Sequence, residues 1–205
     1  MSKHEVVHRQ AGELVSDVKN AAITTVGGLG VLWAVSLVNW VFLGSALDAY
    51  AIVPRTLSGL FGIFAAPFLH VGLVHLVSNS IMFAILTPLM MARNRRDFYA
   101  VALITTITSG LGAWLLGGAG TVHLGSSGVL FGFLGFLMAR GFFERSLSAI
   151  ALSLVMVWAF GGLVWAIFPI LAGVGISWQA HLFGFLGGIW AARVLGRELR
   201  KKGRA

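Results

Sequence analysis

Ser127 lies in the stretch Gly125-Ser126-Ser127-Gly128 and is the candidate nucleophile of this chain. Flanking glycine leaves little bulk around the hydroxyl, and a helix starting there turns backbone N–H groups toward an incoming oxyanion. His181, in Gln179-Ala180-His181-Leu182-Phe183-Gly184, is the candidate general base. Its imidazole would take the serine proton during attack and return it to the leaving amine. A further polar set, His70, His75 and Asn79, has the pattern His-x4-His-x3-Asn. The four-residue spacing puts His75 and Asn79 on one helix face, with His70 near the helix start. Each feature also has a plain packing reading. The chain holds 27 glycines, so Gly128, Gly132 and Gly135 fit close helix packing, and a histidine or asparagine among apolar residues serves as interhelical glue. His123 reads as a loop residue without chemistry.

The elements that carry these residues are set by composition. Of 205 residues, 58% are hydrophobic and 11% charged, mean hydropathy is +0.89, and uncharged runs exceed the length of a membrane span. An all-α polytopic membrane protein follows, forming one helical bundle with no linker or internal repeat. The absence of cysteine excludes disulfides, thiolate metal sites and a cysteine nucleophile. His70 and His75 are five apart and neither begins an HExxH, so no metal site and no cofactor are expected. The net charge of +8 sits in clusters flanking apolar spans, which points to the lipid bilayer as partner and not to nucleic acid.

The charge-free intervals count the spans. Residues 1–20 are polar and mixed in charge, and the run Ala21 to Leu43 is long enough to cross, without a cleavage signal. The interval from Arg55 to Arg93 exceeds one helix but falls short of two helices and a turn. Short interfacial helices are expected over Leu57–Pro67, followed by a second span from about Val71 to Met91. Asp97 to Arg140 holds two spans around the turn Gly117–Gly120, and Ser146 to Ala192 holds two more, divided near Pro169 to Ser177. Six spans result, with the bundle over 21–196, a cytoplasmic segment 1–20 and a basic tail 197–205. The arginine clusters after spans two and four and the tail then fall inside, which makes both termini cytoplasmic and puts Ser127 toward the outer face.

Gly128 and Gly132 on the fourth span, with Gly184 and Gly188 on the sixth, allow two backbones to approach until Ser127 and His181 meet. Of seven acidic residues, six lie in cytoplasmic segments and Asp48 lies in an outer loop, so a Ser-His dyad is expected instead of a triad.

At this point the sequence resembles the rhomboid intramembrane serine proteases, from about Arg55 to Gly188. Three motifs match in order: His70-x4-His75-x3-Asn79, Gly125-Ser126-Ser127-Gly128 and Ala180-His181-x2-Gly184. The resemblance implies a six-helix core, Ser127 as nucleophile, His181 as base, and His75 and Asn79 as oxyanion-stabilising donors. It also implies transmembrane segments of other proteins as substrates and a multi-pass location in the cell membrane. Two positions depart from the family pattern. Pro54 precedes Arg55 where the family often has tryptophan, and Phe131 stands where a tyrosine commonly underlies the histidine ring. A phenyl ring still offers a stacking face. Two other functions remain in competition: an inactive rhomboid-like protein that binds membrane helices, and a transporter or channel lined by the same polar groups.

Depth yields a test. The 13 or so residues from Ser127 to Arg140 cover only roughly 20 Å of a hydrocarbon core about 30 Å thick, which puts Ser127 on the order of 10 Å below the outer interface. A cavity opening outward, capped by the loop from Gly173 to Ser177, must then admit water. Ser127→Cys is expected to react with a membrane-impermeant thiol reagent added from outside; labelling from inside alone would overturn the topology.

Overall fold

The computed structural model describes residues 3–92, 95–171 and 175–202. Arg93 of the expected basic loop, Gly173 of the expected cap and residues 203–205 of the tail lie outside the described residues. Among the described residues the chain is helical throughout, joined by one isolated backbone bridge between Ile52 and His123.

Seven α-helices follow in order: α1 Lys3–Val41, α2 Leu57–Ala65, α3 Leu73–Met91, α4 Arg95–Leu116, α5 Ser127–Glu144, α6 Leu147–Phe160 and α7 Trp178–Lys202. Among the described residues, five segments are long and apolar enough to cross a membrane: Ala11–Val41, Leu73–Met91, Arg95–Leu116, Ser127–Glu144 and Leu147–Ile167. They make the chain an integral membrane protein. The fifth adds to α6 a 3-10 segment over Gly161–Ile167, where paired glycines end the α-helix. α7 is less apolar, carrying Arg193 and the start of the basic tail, yet it packs along α5 and α4 as an equal member of the bundle.

Local sequence explains the short elements. Thr56 Oγ1 accepts from Gly59 N at 3.0 Å and starts α2, and Ala66–Phe68 closes it with a 3-10 turn containing Pro67, the arrangement expected for this charge-free stretch. Arg55, with φ 59°, turns its guanidinium onto the carbonyls of Leu115 and Gly117 at 3.0 and 2.8 Å, placing a cation on the negative end of α4. The first helix departs from expectation. It does not begin near Ala21 but runs unbroken from Lys3, so residues 3–20 are helix continuous with the span, whose apolar part is counted from Ala11. No proline interrupts them, and the only glycine there is Gly12.

The core lies around α5. Leu130, Phe133, Leu134 and Leu137 are buried there against Leu86 and Met90 of α3, Val101 of α4, and Ala191 and Ala192 of α7. α1 sits outside and is held by polar contacts to α3 and the segment before it: Trp33 Nε1 donates to Ser80 Oγ at 3.0 Å, and Trp40 Nε1 donates to the His70 carbonyl at 3.0 Å.

Helices α5 and α7 touch through glycine. A Cβ on Gly184 would run into the Gly128 carbonyl, and one on Gly188 into the Gly132 carbonyl. Backbone atoms cannot yield as a side chain does. Gly188→Ala is therefore expected to cost about 2 kcal/mol or more, toward the upper end of overpacking penalties. Gly27→Ala, where nothing lies within 4 Å, should leave stability unchanged or slightly raised. Thermal unfolding of the two variants in detergent checks this; equal midpoints would contradict the glycine contact.

Candidate active site

Ser127 is the first residue of α5, and His181 stands in the first turn of α7. The glycine contacts bring these two helix starts side by side, and His181 Nε2 lies 2.9 Å from Ser127 Oγ. The other ring nitrogen settles the tautomer. His181 Nδ1 lies 3.3 Å from the carbonyl oxygen of Ala166, which can only accept, so Nδ1 carries the proton and Nε2 presents its lone pair to the serine hydroxyl. The ring is also held from below: Phe131 stacks on it with centroids 4.0 Å apart and planes 8° from parallel.

Ala166 is a partner that sequence reasoning missed. The sequence leaves no carboxylate for this place, and a main-chain carbonyl from the 3-10 segment occupies it. Asp48, the acid left over by elimination, is engaged elsewhere, accepting from Asn39 Nδ2 at 2.9 Å where α1 ends.

Across the site from His181, His75 and Asn79 project from α3 toward Gly125. A Cβ on Gly125 would meet the His75 ring and come 3.5 Å from Asn79 Nδ2, and its φ of 114° is itself a glycine conformation. Asn79 Nδ2 is buried with no hydrogen-bond partner. The start of α5 is open too, because Ser126 makes no side-chain cap to it. Two kinds of donor are thus left open around Gly125 and the start of α5: the Asn79 side-chain amide and the first N–H groups of the helix.

Two further histidines, His70 and His123, border these residues. His70 is fully buried, 3.3 Å from Ser36 Oγ through Nδ1 and edge-on to His75 with centroids 5.2 Å apart, so it joins α1 to the start of α3. His123 is bridged to Thr121 and Ser177. Among the described residues no three histidine, cysteine, aspartate or glutamate side chains converge as metal ligands would. A cavity of about 20 Å³, enough for roughly one water molecule, lies against Ser127 and is lined also by Ser109, His123, Ser177 and Ala180.

Against known proteins, the rhomboid domain model matches residues 57–198, and the chain belongs to the rhomboid family. Members of that family are intramembrane serine proteases or inactive relatives of them. An uncharacterized protein of Mycobacterium tuberculosis is 38% identical over 187 residues, covering 86% of this chain and 78% of its own. One from Mycobacterium bovis matches equally, and one from Mycobacterium leprae is 34% identical over 185 residues, covering 87% of this chain and 73% of its own.

The Phe131–His181 stack carries a stability prediction. Phe131→Leu keeps most of the apolar volume but loses the ring face, and is expected to cost about 0.5–1.5 kcal/mol while broadening the His181 ring resonances. Unchanged unfolding and unchanged linewidths would show that the ring is held without the stack.

Proposed function

We propose that this protein is a serine endopeptidase that cleaves transmembrane segments of other membrane proteins within the bilayer. The carrying observation is the 2.9 Å contact of Ser127 Oγ with His181 Nε2, on an imidazole whose other nitrogen is fixed to the Ala166 carbonyl. Ser127 Oγ attacks the scissile carbonyl carbon while its proton passes to His181 Nε2. Negative charge gathers on the former carbonyl oxygen, stabilised by Asn79 Nδ2, the His75 ring and the Ser127 backbone N–H. The C–N bond then breaks, and the amine leaves with the proton from His181. In the second half His181 draws a proton from water, whose oxygen attacks the acyl carbon. Collapse frees the carboxylic acid and returns the proton to Ser127 Oγ.

The same reading has six spans, with α7 as the sixth, a catalytic bundle over 21–196, both termini cytoplasmic and the protein in the cell membrane. The positions of the basic clusters support it. Helical substrate exposes no free peptide group, so the cut segment must unwind, which favours small or helix-breaking residues near the cleaved bond and toward the outer end of the substrate span.

Ser127→Ala and His181→Ala are each expected to abolish cleavage of a single-span substrate in liposomes and to leave the bundle folded. His75→Ala and Asn79→Ala should each slow kcat about 10²- to 10³-fold, the usual cost of one oxyanion donor. Cleavage near the wild-type rate after loss of Ser127 or His181 would sink the dyad. Lack of any cleavage or fluorophosphonate labelling in the wild type would leave a helix-binding, inactive relative.

A further inference from the structure

His123 stands four residues before Ser127, and Ser177 stands four residues before His181. The His123 imidazole joins these two lead-in segments: Nδ1 lies 2.8 Å from Ser177 Oγ, and Nε2 lies 2.8 Å from Thr121 Oγ1. The neighbours of the two hydroxyls fix the direction of each proton. Thr121 gives its single hydroxyl proton to the Gly118 carbonyl at 2.7 Å, so its oxygen accepts from His123 Nε2–H. Nδ1 is then the acceptor nitrogen, and Ser177 O–H donates to it. Ser177 Oγ in turn accepts from Ala180 N–H at 3.4 Å, in the first turn of α7. A one-way relay therefore runs from α7 through Ser177, His123 and Thr121 to the turn after α4.

Main-chain bonds anchor both ends. His123 N donates to Ile52 O at 2.9 Å and its carbonyl accepts from Ile52 N at 3.0 Å, while His181 N donates to Ser177 O at 3.1 Å. Burial holds the His123 pKa below the ordinary histidine range, which keeps the ring neutral, the only form with an acceptor nitrogen. The glycine contacts bring the start of α5 against the first turn of α7, where Gly128 faces Ala180, and the His123–Ser177 bond ties together the two segments that lead into those helices.

We propose that His123 is a positioning residue for this reaction: its ring clamps the segment before Ser127 to the segment before His181 and so fixes the distance between nucleophile and base. The role rests on the protease reading of the site. The ring touches neither reacting atom and acts through Ser177.

Wild type, His123→Ala, Ser177→Ala and the double variant, each in liposomes, provide the test. Amide hydrogen exchange over residues 176–184 reads the clamp without catalysis, and kcat and KM on a single-span substrate read its effect on the dyad. Exchange at Ala180 and His181 should quicken in all three variants. Each single change should lower kcat about tenfold with KM held within about twofold. The double variant should be no slower than the slower single one, because either change opens the same relay. Ser177→Ala removes only a hydroxyl and serves where His123→Ala does not fold. Unchanged exchange in these variants overturns the clamp. A rise in KM alone also overturns the role, since it makes His123 a substrate contact, and so do additive losses. Faster exchange in the variants of a wild type that cleaves nothing upholds the clamp and sinks the protease reading instead.

Discussion

The backbone-to-backbone contact of α5 and α7 is the constraint on which the site depends. Serine and histidine have short side chains, and helices at ordinary separation, about 8–10 Å between axes, hold such groups apart unless both reach directly across. Gly128, Gly132, Gly184 and Gly188 remove the Cβ layer between the two helices, so the start of α5 and the first turn of α7 lie close enough for a 2.9 Å contact. Within a bilayer, lipid tails are as apolar as the helices, so close packing and interhelical hydrogen bonds must hold the pair together. The position of α5 at the centre, with Leu130, Leu134 and Leu137 almost wholly buried, braces one side of that contact from every direction.

Around this pair the polar groups divide into two sets. One set is satisfied and structural: Asn39 joins Asp48 and the Leu47 amide, Ser153 bonds the Leu137 carbonyl and the Gly141 amide, and Arg140 pairs with Glu144. The other set is left open: His70 Nε2 and Thr87 Oγ1 elsewhere in the bundle, and two groups near the site. Asn79 Nδ2 and Ser126 Oγ are buried without partners, each at a typical cost of about 1–3 kcal/mol. An unpartnered buried donor is stability given up in the resting protein, and it is recovered when an acceptor binds there.

Much of this was legible before any coordinates. The glycine spacing on two spans pointed to the contact, the three motifs pointed to the residues, and the length of the uncharged run after Arg55 required an element like α2. What stayed hidden has physical reasons. Residues 3–20 look like a soluble lead-in because they are polar, yet polarity does not stop a helix; only breakers do, and that stretch has just Gly12. His123 looked inert because its partner Ser177 is 54 positions away, at the far side of two helices. Ala166 gave no sign at all, since the atom that matters belongs to the main chain and is common to every residue type.

That last point bears on what mutation can reach. The group that orients His181 is encoded by no codon in particular: exchanging Ala166 for almost any residue retains the carbonyl, so inheritance protects it from point substitution as no aspartate could be protected. Its weakness is register. A residue inserted or lost within Gly161–Ile167 would rotate a different part of the peptide toward Nδ1, so this short segment is free to drift in side chains and bound to a fixed length.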